Sequence, residues 1–105
     1  MKKIIDGKRY NTETATEVAE WSNGYGYSDF KHCGETLYRT PKGGWFTVGY
    51  GGPLSRYSRA TGQNSYSGSR DVFTVLTAEQ ARTWLERHGE TEALETYFSE
   101  AIQDA

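Results

Sequence analysis

A chain short of aliphatic side chains has to build its core from rings, and that shortage is the tightest constraint on this one. Ile, Leu, Val and Met number 13, against 15 Trp, Tyr and Phe in 105 residues. Leu, Ile, Val and Phe together supply 16 residues, below the roughly 20% share under which chains tend to disorder. Disorder also needs high net charge and few aromatics. The formal net charge is only −2, and rings are plentiful. The expectation is one small folded domain, without internal repeats. Each buried ring removes roughly 150–250 Å² from water, while every Tyr keeps a hydroxyl that needs a partner.

Several classes fall away at once. No apolar run approaches the ~18 residues of a membrane span, and residues 1–10 lack the apolar stretch of a signal peptide. A single cysteine, Cys33, excludes an internal disulfide framework and fits a reducing cytosol. The expected setting is cytoplasmic. A domain of this length buries about two thirds of its surface, which leaves little room for a deep active-site cleft.

Charge is segregated along the chain. Residues 31–70 carry a net +5 and residues 77–105 a net −5. Glu on the wet faces of helices explains most of the acidic end. A basic face meeting phosphate, or an acidic one competing for a nucleic-acid-binding groove, is the sharper reading.

Local signals give an α+β outline. Asp6-Gly7 is a tight-turn dipeptide between Ile4-Ile5 and Lys8-Arg9-Tyr10, so a small hairpin is expected. Thr14-Ala-Thr-Glu17 has capping-box spacing, and Ala15, Val18 and Trp21 recur at helical intervals, which predicts an N-terminal helix ending at Asn23-Gly24. Glu35–Thr40 and Trp45–Tyr50, joined by Pro41-Lys-Gly-Gly44, read as a hairpin. Residues 55–71 are polar and aperiodic, a long loop that is either mobile or functional. Val72–Leu76 reads as a further strand. Thr77-Ala-Glu-Gln80 is a second capping box; behind it Ala78, Ala81, Trp84, Leu85 and His88 share a face. Leu94, Tyr97, Phe98, Ala101 and Ile102 then repeat at i, i+3, i+4, i+7, i+8. The expected architecture is an antiparallel sheet of three to four strands with one N-terminal helix and a C-terminal helical hairpin.

Catalytic and metal signatures are absent from this pattern. There is no C-x-x-C or H-x-x-x-H, so no dedicated zinc site is expected. His32 and Cys33 are adjacent and point to opposite sides of an extended segment; they read as a wet imidazole and a buried thiol. His88, in a last helical turn, reads as a cap on the helix dipole. Gly49-Tyr-Gly51-Gly52-Pro53-Leu lacks both the Lys-Ser/Thr of a P-loop and the third glycine of a dinucleotide fingerprint. No nucleophile–base–orienter set assembles, so neither enzymatic activity nor a cofactor is expected.

One constellation remains: arginines interleaved with rings between residues 38 and 70. Arg39, Trp45, Tyr50, Arg56, Tyr57, Arg59, Tyr66 and Arg70 are the candidate partner-binding residues. Arg with aromatics suits phosphate contact and base stacking, and equally the hot spots of protein interfaces. About half of the rings are expected to be core.

Lys2–Ala15, together with Glu35-Thr-Leu-Tyr-Arg39, Gly51-Gly52-Pro53 and Leu76-Thr-Ala-Glu-Gln-Ala81, resembles small proteins of Gram-positive phages and integrative elements. Some proteins of that size and origin are anti-CRISPR inhibitors. The resemblance implies a mobile-element-encoded, non-catalytic inhibitor of a host defence complex, binding an RNA-guided effector nuclease. Its motifs are scaffold-like, and no functional residues carry over from them. Two other readings stand beside it. One is a nucleotide- or nucleic-acid-binding module using residues 38–70. The other is a homodimer paired through Trp45 and Phe46 on an edge strand.

Overall fold

The computed structural model describes all 105 residues. In chain order the elements are β1 (Lys2–Ile5), β2 (Lys8–Asn11), β3 (Thr16–Ser22), β4 (Cys33–Arg39), β5 (Trp45–Gly51), β6 (Arg59–Gly62), β7 (Ser65–Ser67), β8 (Ser69–Leu76), α1 (Ala78–Arg87) and α2 (Thr91–Tyr97). Strands β3-β4-β5-β8 form one antiparallel sheet, and β1-β2 and β6-β7 are separate two-stranded ribbons. The Cα radius of gyration is 15.3 Å, against about 13 Å for a compact chain of this size.

Turn chemistry sets the hairpins. Asp6 and Gly7 both have positive φ, 50° and 76°, as a type I′ turn between twisted strands demands. The β4–β5 turn is locked by Thr40, whose Oγ1 accepts from the Gly44 N–H at 2.8 Å. Helix α1 begins at the expected capping box. The Gln80 N–H donates to Thr77 Oγ1, and the Thr77 N–H to Gln80 Oε1.

Successive side chains of β5 go to opposite faces of the sheet, and each face has its own core. On one side Leu37, Trp45, Ala81, Trp84 and Leu85 are buried, joined by Val18, Ala19 and Trp21; we call this the helix face. On the other, Phe46 packs with Tyr10 and Phe73, flanked by Ile5, Ala15, Tyr38 and Val48; this is the hairpin face.

Four expectations need correction. The N-terminal helix over Ala15–Trp21 is strand β3. A register shift between Glu17 and Ala19 marks a bulge, and Val18, Ala19 and Trp21 all pack on the helix-face core. An extra residue in a strand breaks the two-residue alternation and imitates helical spacing. Both helices are therefore C-terminal. Their second member stops at Tyr97, because Phe98 leaves helical geometry (φ −131°, ψ 30°) and only a 3₁₀ turn follows over Ser99–Ala101. Tyr97 and Phe98 both lie on the Trp45 indole, edge-on at 5.5 Å and stacked at 5.3 Å between ring centroids. One long amphipathic helix is thus replaced by a seven-residue helix and a turn.

The polar stretch 55–71 holds the β6-β7 ribbon, turned at Gln63-Asn64 with Asn64 at φ 59°. Finally, β5 is an inner strand, hydrogen-bonded to β4 on one side and β8 on the other. Trp45 and Phe46 have no free edge through which to pair across a two-fold axis.

Candidate functional site

Seven of the eight candidate residues divide between the two faces of the sheet, and Tyr66 belongs to neither. Arg39 lies over the Trp45 and Tyr97 rings at 5.5 and 5.3 Å. Trp45 itself is core, 4% exposed. Arg56 and Tyr57 are committed to a buried carboxylate on the helix face. Glu35, 4% exposed, accepts the Tyr57 hydroxyl at 2.5 Å and the Arg56 guanidinium at 3.3 Å. Its cross-strand partner is Gly49, and a Cβ there would run into the Tyr57 ring. The bare glycine is what lets Tyr57 reach across to Glu35. Burial, and then donation to Glu35, push the Tyr57 phenol far above its ordinary value. The Cys33 thiol is raised by burial and by Glu35, with Arg56 opposing.

A polar hollow of about 530 Å³ opens beside this pair, walled by Thr47, Thr74, Gln80, Thr83, Trp84 and Arg87 among others. Near it His88 is packed between the Trp21 and Trp84 rings, at 4.6 and 4.4 Å. Burial lowers its basicity, so the expected cationic helix cap is instead a packed imidazole. The α1 C-cap bond is made by its backbone N–H.

The other face differs. Tyr50, Arg59 and Arg70 come together in an open cleft of about 990 Å³, with Lys3, Tyr27, His32, Ser69 and Asp71 also lining it. Two local devices and two ribbons deliver them. Tyr50 lies flat over Gly34, its cross-strand partner, where a Cβ would collide with the phenol. Arg70 and Asp71 sit opposite Tyr50 at a bulge in β8, where the register jumps from Gly49–Val72 to Gly51–Ser69 and Asp71 takes φ 56°. Bulges of this kind re-aim side chains at the margins of sheets. Arg59 opens ribbon β6, and Lys3 comes from β1 at the far end of the sequence. Backbone hydrogen bonds tie together the two loops that carry His32 and Gly52. The Gly52 N–H donates to the His32 carbonyl and the Leu54 N–H to the Phe30 carbonyl, at 2.9 and 2.8 Å.

Three rings line one wall. Tyr27 stacks on Tyr50 at 5.7 Å between centroids with planes 25° apart, and His32 lies 5.4 Å from Tyr27 and 6.1 Å from Tyr50. The His32 ring is fixed by Nδ1, 2.6 Å from the Asp29 carbonyl. A carbonyl only accepts, so Nδ1 carries the proton and Nε2 is left for another partner. Lys3, Arg59 and Arg70 take part in none of the protein's ion pairs, which are Arg56–Glu35 and Arg82–Glu86. Asp71 is the one acid lining the cleft.

Sequence reading therefore found three of the cleft's residues and missed Lys3, Tyr27, His32 and Asp71. Lys3 carries no local signal, because only the fold brings β1 there. Tyr27 had one, the alternation Gly24-Tyr-Gly-Tyr27, which breaks no core rule and so asks for another use. Tyr66 remains exposed on ribbon β7, outside the cleft. Neither a metal-holding cluster of His, Cys, Asp and Glu nor a helix long and apolar enough to cross a membrane occurs. Comparison with protein-family models, curated proteins and solved structures returned no match.

Proposed function

We propose that this protein is a non-catalytic binding module that takes a phosphate-bearing ligand, a nucleotide or a nucleic-acid strand, in the cleft of Lys3, Arg59 and Arg70. One observation carries the reading: three cations line a single cleft without an ion-pair partner, beside stacked tyrosines. Cations gathered in a cleft attract anions through a shared field, and Arg presents a fork that matches phosphate oxygens. The test is titration calorimetry with nucleoside diphosphates and single strands at low ionic strength. Affinity should fall as salt is raised, and the double substitution Arg59→Ala, Arg70→Ala should abolish it. Absence of any binding at low salt would overturn the reading.

A second reading, an anti-CRISPR antagonist of an RNA-guided nuclease encoded by a phage or mobile element, rests on the resemblance of residues 2–15, 35–39, 51–53 and 76–81. Its support in the fold is the exposure of Glu79, Glu86, Glu92, Glu95 and Glu100 on the C-terminal helices and turn, an anionic surface of the kind that competes for a nucleic-acid-binding groove. Co-purification with an effector nuclease and loss of target cleavage are the expected results. Failure to bind any effector of its natural hosts would remove it.

A further inference from the structure

Resting on the phosphate-binding reading, we infer that the cleft's ligand is single-stranded nucleic acid, with an unpaired base stacked on the outer face of Tyr27. Tyr27 is 79% exposed. An aromatic ring that open has no folding role to explain it. It is nonetheless held as if in a core. Tyr50 supports its inner face at 5.7 Å, and Tyr50 is itself seated over Gly34. His32 flanks it.

The loop that carries Tyr27 is pinned at both ends. The Asn23 side chain donates to the Lys31 carbonyl at 2.7 Å and accepts from the N–H groups of Tyr25 and Cys33. Within the loop the Asp29 carboxylate accepts from the Lys31 N–H at 2.7 Å. A ring on a braced loop loses little freedom when something stacks on it, which is the condition for a strong contact.

The surroundings select the ligand. An exposed ring beside uncommitted cations is the arrangement by which proteins hold single strands, bases on rings and backbone on Arg and Lys. Charge decides among the occupants of such a surface. An acidic protein would suit the cations but leave Tyr27 uncovered. A duplex keeps its bases stacked on one another and offers phosphate alone. Free phosphate uses no ring at all. A single strand uses both halves of the cleft, with phosphates at Arg59, Arg70 and Lys3. Phe30, on the same loop and 64% exposed, offers a further apolar surface for the chain leaving Tyr27.

The experiment is fluorescence anisotropy with short labelled oligo-U and oligo-dT, the matching duplex, and unlabelled inorganic polyphosphate as competitor. Oligo-U and oligo-dT separate RNA from DNA as the source of the strand; binding of either supports the inference. Single strands should bind at least about tenfold more tightly than duplex. Tyr27→Ala should weaken single-strand binding roughly 5- to 150-fold, the range for one base–aromatic stack, and Tyr27→Trp should restore it. Polyphosphate affinity, read from competition for wild type and from direct calorimetry for each variant, should be unchanged by Tyr27→Ala and lost in Arg59→Ala, Arg70→Ala. Equal affinity for duplex and single strand, or indifference of the single strand to Tyr27→Ala, would overturn the inference. If polyphosphate still binds and still depends on Arg59 and Arg70, the phosphate-binding reading survives that failure. If no probe binds, both fall. Tyr27 lies outside both cores, so circular dichroism of the variants should match wild type.

Discussion

On the helix face of the sheet, Leu37, Ala81 and Leu85 join Trp45 and Trp84 in a mixed aliphatic and aromatic core. On the hairpin face, the ring contacts of Phe46 are Tyr10, Tyr38 and Phe73. The two faces also treat charge differently. The helix face buries Glu35 and satisfies it from within, using Tyr57 and Arg56. The hairpin face leaves Lys3, Arg59 and Arg70 unpaired at the mouth of a cleft. A buried charge must be paired to be tolerated at all, so folding alone accounts for the first arrangement. Nothing in folding requires the second, and that contrast is why function is sought there.

The contrast can be broken most forcibly at its centre. Trp45→Ala and Phe46→Ala remove adjacent rings from opposite cores, and each should cost about 3–5 kcal/mol in urea unfolding. A far smaller loss for Phe46→Ala would show that the hairpin covers the sheet without forming a second core. Next comes Tyr57→Phe, which takes a donor from buried Glu35 and should cost about 1–3 kcal/mol. Unchanged stability there would mean that Arg56 or water satisfies the carboxylate alone.

A gentler effect comes with acid. His88 holds its proton less readily in the folded protein than its ordinary value of 6.5, so the unfolded chain is protonated first as pH falls. Its contribution is full above about pH 6.5 and is lost as pH drops through and below that value. Glu35 and Glu90 favour the proton while Arg56 and Arg87 oppose it, and burial outweighs them. Urea midpoints measured from pH 8 to pH 5 should decline, and His88→Gln should flatten that part of the decline. Smallest of all, Arg59→Ala with Arg70→Ala should shift stability by no more than about 0.5 kcal/mol. A larger loss would place those arginines in the scaffold and blur the distinction between the faces.

Elements whose signals are local were legible in the chain. The turn at Asp6-Gly7, the hairpin across Pro41–Gly44, the strand at Val72–Leu76 and the capping box at Thr77 all work within a few residues, and each stands where it was expected. Strand β3 was not legible, because its bulge brings Val18, Ala19 and Trp21 into one core and reproduces helical spacing. Ribbon β6-β7 was hidden for another reason. Every residue of β6 is exposed, so no buried side writes an alternation into the sequence. The candidate site was half legible. Arg59, Arg70 and Tyr50 stood out by type, whereas Lys3 reaches the cleft only through the packing of β1-β2, and Trp45 and Tyr57 were claimed by the core.

The two tyrosines seated over glycines have a consequence for how the sheet is assembled. Gly34 pairs with Tyr50 and Glu35 with Gly49, so neighbouring rungs carry opposite keys, one cut for each face. Sliding β5 by a single residue would send every side chain to the wrong side. Tyr50 would lose its bare seat, and Tyr57 would meet a side chain where it now meets none. The pairing of β4 with β5 is thereby notched like a lock with two wards, and only one alignment lets both turn.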